Sequence, residues 1–312
     1  MGFETPILLI TFNRPSHTAE VLAAIKAQEP KILFIFRDGP RPNNAEDSLK
    51  CQAVIDLIRR EVDWDCELRT CFESENLGCG RGPAKAITWF FENVEAGIIL
   101  EDDCLPAHSF FPYCKQMIEA YSNNNDVWVI SGYNPLGRWY PQKSSCFPSK
   151  IGSLFGGWAT WQRAWRHFDY SASRWFTKEG KDKIRKFLNK EKYFDVYSKE
   201  FDTYFSKVRK DIWDFQWLFA RLNHDGLCMV PSLNQIANTG FGKEATHTTT
   251  ANPKMPRVYE MDFPLKLPEF KIRVMFDWMV FERYINPRPI SLPLKIVLKA
   301  AKIITRTDQK YF

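Results

Sequence analysis

The chain has 312 residues, 45% of them hydrophobic and 26% charged, with 15 Gly, 19 Pro and a formal net charge of +6. That is ordinary globular composition and excludes a disordered, collagen-like or disulfide-scaffold protein. Aromatic residues reach 15%, with 25 Phe, 11 Trp and 11 Tyr, which is more than a core alone usually needs and suits flat apolar faces such as sugar rings as well as large cores.

Residues 6–12 predict a strand ending at Asn13-Arg14-Pro15, and residues 16–28 a helix with Ser16 as its N-cap. A second strand is expected over 31–36, ending at Arg37-Asp38-Gly39-Pro40, then a longer helix over 44–60 and a third strand over 66–72. Residues 82–93 predict a helix with Pro83 in its first turn, and 97–100 a strand running straight into Glu101-Asp102-Asp103. This alternation predicts an α/β fold, a Rossmann-like, mostly parallel sheet with helices on both faces. In such sheets ligands bind past the carboxyl ends of the strands. Beyond Pro106 the pattern turns irregular, with a helix over 110–122, a strand over 127–131 and a Gly/Trp-rich stretch over 152–165. A charged helical region, a helix over 211–223 and a Gly/Thr-rich loop over 238–252 follow, and the composition shifts near residue 255.

Several function classes drop out. The longest apolar runs, such as 6–10 and 98–100, are strand-length against the roughly 20 residues of a spanning helix. MGFETPILLI has no basic region ahead of an apolar one, so no secretory signal is expected, and Pro6 breaks the myristoylation pattern. The cysteines include no CxxC pair and read as reduced thiols without zinc, which makes the cytoplasm the expected location. From Ser291 onward five basic residues (Lys295, Lys299, Lys302, Arg306, Lys310) stand against Asp308. At helical spacing they form one stripe opposite Val297, Ala301 and Ile304, either a basic amphipathic helix for an anionic membrane surface or a solvated face. The rest of the chain is nearly neutral and has no basic, aromatic-interleaved stripe, so nucleic acid is not an expected partner.

Glu101-Asp102-Asp103 caps a buried-type strand where such a sheet places its ligand. Packed carboxylates repel unless a cation joins them, and hard oxygen ligands suit Mg²⁺ or Mn²⁺; the alternative is a solvated turn. Asp211 and Asp214 stand at the start of a late helix, either as a general base or as a capping pair. Gly78, Gly80 and Gly82 resemble a phosphate cradle without the GxGxxG spacing, and no Walker lysine follows.

A strand ending TFNRP (11–15), a second ending RDGP (37–40), the NLGxGRGxxxAI turn and helix (76–87) and IILEDD (98–103) together resemble a GT-A-fold glycosyltransferase. The EDD form of its DxD motif is similar to that of the N-acetylglucosaminyltransferase I type and of related bacterial sugar transferases. The resemblance covers roughly residues 5 to 250. It implies a metal-dependent transfer from a nucleotide-sugar, expected to be a UDP-sugar, to a hydroxyl of a glycan or lipid-linked acceptor in surface polysaccharide synthesis; Asp214 as a base favours inversion, and a retaining enzyme, which keeps the same DxD, is the alternative. It further implies a nucleotide-binding half over 1–105, an acceptor half over 106–255 and a C-terminal extension over 256–312. By the same resemblance Asp103 binds Mn²⁺ or Mg²⁺, joined by His247 from the loop, while Glu101 and Asp102 serve the ribose or donor sugar. Thr11, Asn13, Arg14 and Asp38 hold the nucleoside and phosphate, and Gly78, Arg81 and Lys85 stand beside the donor. Gly156, Gly157, Trp158 and Trp161 form the wall for donor and acceptor sugars, and Asp214, with Asp211 as the alternative, is the base. The rival readings are a nucleotidyltransferase, which usually has a basic Gly-rich N-terminal loop that TFNRPSHT lacks, and a non-catalytic glycan- or membrane-binding scaffold.

Overall fold

The computed structural model describes residues 3–139, 143–152, 156–206, 211–240 and 255–287. The first elements follow from the apolar pattern: β1 (Ile7–Thr11), α1 (Pro15–Lys26), β2 (Ile32–Arg37), α2 (Ala45–Glu61), β3 (Glu67–Phe72), α3 (Gly78–Phe91) and β4 (Ala96–Glu101). Then come β5 (Cys104–Pro106), α4 (Phe110–Ala120), β6 (Val127–Ser131), β7 (Cys146–Ser149), β8 (Trp158–Trp161) and α5 (Gln162–Trp165). The last are α6 (Lys178–Leu188), α7 (Glu191–Phe205), α8 (Asp214–Asn223), β9 (Leu227–Pro231), β10 (Ile236–Asn238) and α9 (Val274–Val280).

An eight-stranded sheet has the order β3-β2-β1-β4-β8-β6-β9-β7, and β5 pairs with β10 in a separate ribbon. Strands β3, β2, β1, β4, β6 and β9 run one way, and β8 and β7 run the other. The expected α/β fold, a large mostly parallel sheet flanked by helices, is therefore present. The central strands are apolar at every position because both faces are covered. Leu8, Ile10, Phe34, Phe36 and Ile99 turn to one face with α3 and the aromatic cluster of the second half. Ile7, Leu9, Leu33, Ile35, Ile98 and Leu100 turn to the other, with α1, α2 and α4.

Two helix starts differ from the sequence expectation. Ser16 is not a cap: Pro15 opens α1, and Arg14, the N-cap, makes no side-chain capping bond. Helix α3 begins at Gly78 rather than at residue 82, so Pro83 lies inside it. The reason is tertiary. Carboxylates of Asp38 and Asp211 accept the Gly78 and Gly80 N–H groups, which draws the glycine-rich turn into the helix.

The strap after residue 255 covers the outer edge of β7. Ser145 donates its N–H to the Lys266 carbonyl at 2.8 Å, and Arg273 donates its own to Pro148 at 3.2 Å, which blunts an otherwise open strand edge. Helix α9 then sets Phe276 edge-on to Phe147, with ring centroids 4.7 Å apart. Beneath it the buried Asp277 carboxylate accepts from the Ser149 hydroxyl and the Lys150 N–H. The nearby Arg221 is 0% exposed and gives its guanidinium to the Lys150 and Gly226 carbonyls, both at 2.9 Å. Among the described residues no helix is long and apolar enough to cross a membrane. Residues 291–312, with their basic stripe, lie outside the described residues.

Burial pushes the Asp277 carboxyl up to about 6, against the pull of Ser149, Lys150 and Arg221. A carboxyl whose folded pKa exceeds its unfolded value holds its proton more tightly when folded. Stability from this group is therefore full below pH 3.8 and lost as pH rises towards 6, by on the order of 3 kcal/mol. Urea unfolding of wild type and Asp277→Asn across that window is expected to show a steeper decline with pH in the wild type.

Candidate active site

The site grows from the register between β1 and β4. Ile10 lies beside Glu101, so the turn Phe12-Asn13-Arg14 leaves β1 where Asp102 and Asp103 leave β4. Asp102 is 2% exposed. It takes one guanidinium nitrogen of Arg14 on Oδ1 and the Phe12 N–H on Oδ2 at 3.3 Å. The other terminal nitrogen of Arg14 donates to Asp103 Oδ2 at 3.0 Å. Burial works against the Arg14 charge, but the two carboxylates outweigh it and hold the guanidinium more firmly protonated than usual. Burial also raises the Glu101 carboxyl, helped by the charges of Asp103, Asp102 and Asp214. Burial raises Asp102 too, while Arg14 pulls it back.

The two-stranded ribbon closes this cluster from the other side. Asn238 pairs with Cys104, and Thr239 donates its N–H to the Asp103 carbonyl at 2.8 Å. Gly240 lies so close that a Cβ there would come within 2.0 Å of Asp103 Oδ2. Only glycine fits. Residues 241–254, His247 among them, lie outside the described residues. Sequence reasoning missed Asn238 and Thr239, because a three-residue strand paired across more than a hundred residues leaves no local signal.

Asp214 is the first residue of α8, exposed, and close enough to Glu101 for its charge to be felt there. Trp213 just before it is buried and stacks on Trp158, with centroids 5.9 Å apart and planes at 20°. Four carboxylates and one guanidinium thus converge past the carboxyl end of β4. Among the described residues no three side chains of His, Cys, Asp or Glu are placed as a ready-made metal cage.

Other expected site residues have structural work. Asp38 has its acceptor capacity filled: Oδ1 takes the Gly39 and Leu77 N–H groups at 2.9 and 2.8 Å, and Oδ2 takes Asn76 Nδ2 and the Gly78 N–H at 2.9 and 3.1 Å. Burial nevertheless leaves its pKa raised. It clamps the start of α3 and has no position left for a base or ribose. Thr11 donates its hydroxyl to the Phe36 carbonyl at 3.0 Å, and Asn13 donates Nδ2 to Asp47 at 2.7 Å. Arg14 binds the acids rather than standing open to a phosphate, and Asp102, held by Arg14 and Phe12, positions that arginine instead of facing a sugar. Asp211 does not cap its own helix. Its carboxylate accepts the Gly80 N–H at 2.8 Å and the Cys79 thiol at 3.2 Å, which fastens α3 to the approach of α8. Burial, then Asp211, pushes that thiol up to about 12, so it is no nucleophile.

Gly78 has φ +82°, where its Cβ would strike Asp211 at 2.7 Å, so its glycine serves the turn. Lys85 pairs with Glu73 at 2.5 Å, and Arg81 is exposed on the outer face of α3. The expected sugar wall is core. Trp158 is 1% exposed and Trp161 4%, because β8 lies in the middle of the sheet. Gly156 and Gly157 make room for Ile236, which a Cβ would meet at 2.5 and 2.8 Å.

Arg14→Met would leave Asp102 and Asp103 facing one another without their cation. The expected loss is about 3 kcal/mol, with part recovered when Asp102→Asn is added. A double-mutant cycle in urea measures it: a coupling near zero would mean that the fork contributes nothing.

No protein-family model matches the chain, and no curated protein matches it. Among solved structures, the glycosyltransferase GlyE of Streptococcus pneumoniae TIGR4 aligns with a TM-score of 0.37 at 8% identity, over 73% of this chain and 45% of that one. HddC of Yersinia pseudotuberculosis, complexed with GMP-PN, aligns at 0.34 and 10%, over 51% of this chain and 78% of that one. A UDP-glucose pyrophosphorylase complexed with UDP-glucose aligns at 0.32 and 12%, over 53% and 78%. Likeness this distant says nothing of what the chain does, and the chemistry rests on the side chains above.

Proposed function

We propose that this protein is a metal-dependent glycosyltransferase of GT-A type. It moves a sugar from a nucleoside-diphosphate donor, a UDP-sugar in the first instance, to a hydroxyl of a glycan or lipid-linked acceptor, with inversion, in surface polysaccharide synthesis. One observation carries the reading: Glu101-Asp102-Asp103 at the end of β4 lies within electrostatic reach of Asp214 at the start of α8. Nucleotidyl transfer fits less well. It calls for cations in the first loop to hold a triphosphate, and the turn Phe12-Asn13-Arg14 has only Arg14, already committed to Asp102 and Asp103.

The donor set fits a hard divalent ion delivered with its substrate. Asp103 keeps 15% of its side chain exposed, and a Mg²⁺ or Mn²⁺ ion typically takes one or two carboxylates and completes its shell with phosphate and water. Asp103 would hold it, with His247 as a further candidate. When bound, such an ion neutralises the charge that grows on the diphosphate as the glycosidic bond breaks. Arg14 fixes Asp102 and orients Asp103. Asp214 takes the proton from the acceptor hydroxyl as its oxygen attacks the anomeric carbon on the face opposite the leaving group.

A melting-temperature screen of UDP, GDP, CMP and dTDP and their sugars, with and without Mn²⁺, tests the donor site first. A ligand at 100 times its Kd adds about 2.7 kcal/mol. Asp103→Ala is expected to abolish the Mn²⁺-dependent shift, and Asp214→Asn to keep it while lowering turnover about 100-fold or more. Release of nucleoside diphosphate supports glycosyl transfer, release of pyrophosphate the nucleotidyltransferase, and a lack of any shift the non-catalytic scaffold.

A membrane-facing role for the C-terminal region belongs to the same proposal. Phe263, Leu267, Phe270, Val274, Met275 and Tyr284 are exposed apolar residues concentrated just ahead of the basic tail. Apolar area beside basic charge is what holds a protein to an anionic interface. The full chain is expected to sediment with vesicles containing phosphatidylglycerol at low salt and to be released at high salt. Equal sedimentation with phosphatidylcholine alone would remove the electrostatic part.

A further inference from the structure

A groove of about 630 Å³ opens between the outer face of α3 and the segment after α5, away from the acid cluster. Arg81, Lys85, Trp89 and Glu92 line one side at helical spacing, and Phe168 and Tyr170 line the other. From Arg81 to Glu92 the helix rises about 16 Å, so the groove is elongated rather than round. Its upper end lies beside residues 211 and 212, on the segment that leads into α8 and Asp214. The Tyr170 hydroxyl stands over Gly80, where a Cβ would meet it at 2.5 Å, and Gly80 is the residue that Asp211 holds.

The lining combines flat rings with planar or charged groups. Phe168 stacks on Trp165 with centroids 4.3 Å apart and planes at 9°, and its other side contributes to the groove. Trp89 rests edge-on against Phe34 at 5.0 Å, which fixes the indole without enclosing it. Lys85 is exposed and meets the half-buried Glu73. The edge strand β3 reaches the groove only at Cys71, and the rest of the described lining is side chains of α3 and its C-cap with Phe168 and Tyr170. Rings that pack on apolar sugar faces, beside Arg, Lys and Glu that bond hydroxyls, are the chemistry of an oligosaccharide site.

We infer that this groove binds the oligosaccharide arm of the acceptor, the sugar residues beyond the one that receives the transferred unit. The inference rests on the glycosyl-transfer reading for its purpose, and on the continuity of Tyr170, Gly80 and Asp211 for its location. It gives Arg81 and Lys85 a role different from donor binding.

The test is calorimetric titration of the full chain with maltohexaose, cellohexaose, chitohexaose and a hyaluronan hexasaccharide. At least one is expected to bind, and its affinity is expected to fall about tenfold in Phe168→Leu and in Lys85→Ala/Glu92→Ala. Both variants should keep the nucleotide-dependent melting shift, which shows that they fold and that the donor site is intact. Binding of none of the hexasaccharides, or unchanged affinity in both variants, would overturn the inference even with the nucleotide shift present. Hexasaccharide binding lost in the variants, in a chain that shows no nucleotide shift, would support the groove and overturn the transfer reading instead.

Discussion

Three carboxylates in succession at the end of a central strand is the constraint around which this structure is arranged. Glu101, Asp102 and Asp103 would repel one another in a site sheltered from water, and the fold answers with one guanidinium placed 88 residues earlier in the chain. That pairing requires β1 and β4 to be neighbours in parallel register, which in turn requires the crossover helices that cover the sheet. Arg14 balances Asp102 and part of Asp103. The remaining negative charge, with Asp214 nearby, is the charge that the proposed cation would meet.

The acids near this end of the molecule divide by what their oxygens already hold. Asp38 and Asp211 are acceptors for backbone amides at the start of α3, so the glycine-rich turn is anchored by side chains from two distant segments. Asp47 accepts from Arg41 and Asn13, and Arg41, the larger influence, holds its carboxyl down at about 2. Each of these could be mistaken for a ligand from sequence alone, since only long-range pairing shows what its oxygens hold. The Asp103 carboxylate accepts from the Arg14 and Asn238 side chains and, among the described residues, from no backbone amide, and Asp214 at the start of α8 is exposed.

The first half of the fold was legible because its strands and helices alternate with clear apolar periods. Strands β1 to β4, helix α2 and strand β6 appear where the pattern puts them. Strands β7, β8 and β9 did not announce themselves: each is four or five residues, fully buried, and paired with partners far away in sequence. The acid cluster at β4 was visible because it is contiguous. The guanidinium fork and the Asn238–Cys104 ribbon were not, because they exist only through long-range pairing. The same blindness misread Trp158. Gly-Gly-Trp looks like a sugar-facing wall until β8 is inserted between β4 and β6.

Buried, that tryptophan still serves the site. Ile99, two residues before Glu101, lies beside Trp158 across the antiparallel pair. Trp158 stacks on Trp213, one residue before Asp214, and lies 6.0 Å from Trp217 on the next turn of α8. One indole therefore links the strand that carries the acid cluster to the helix start that carries the acid opposite it. An indole is large, flat and stiff, with two side-chain torsions, and close packing on both neighbours transmits position with little slack. Trp158, Trp213 and Trp217 thus tie together two segments that are far apart in sequence. Loss of this packing would separate Asp214 from Glu101 without touching either carboxylate.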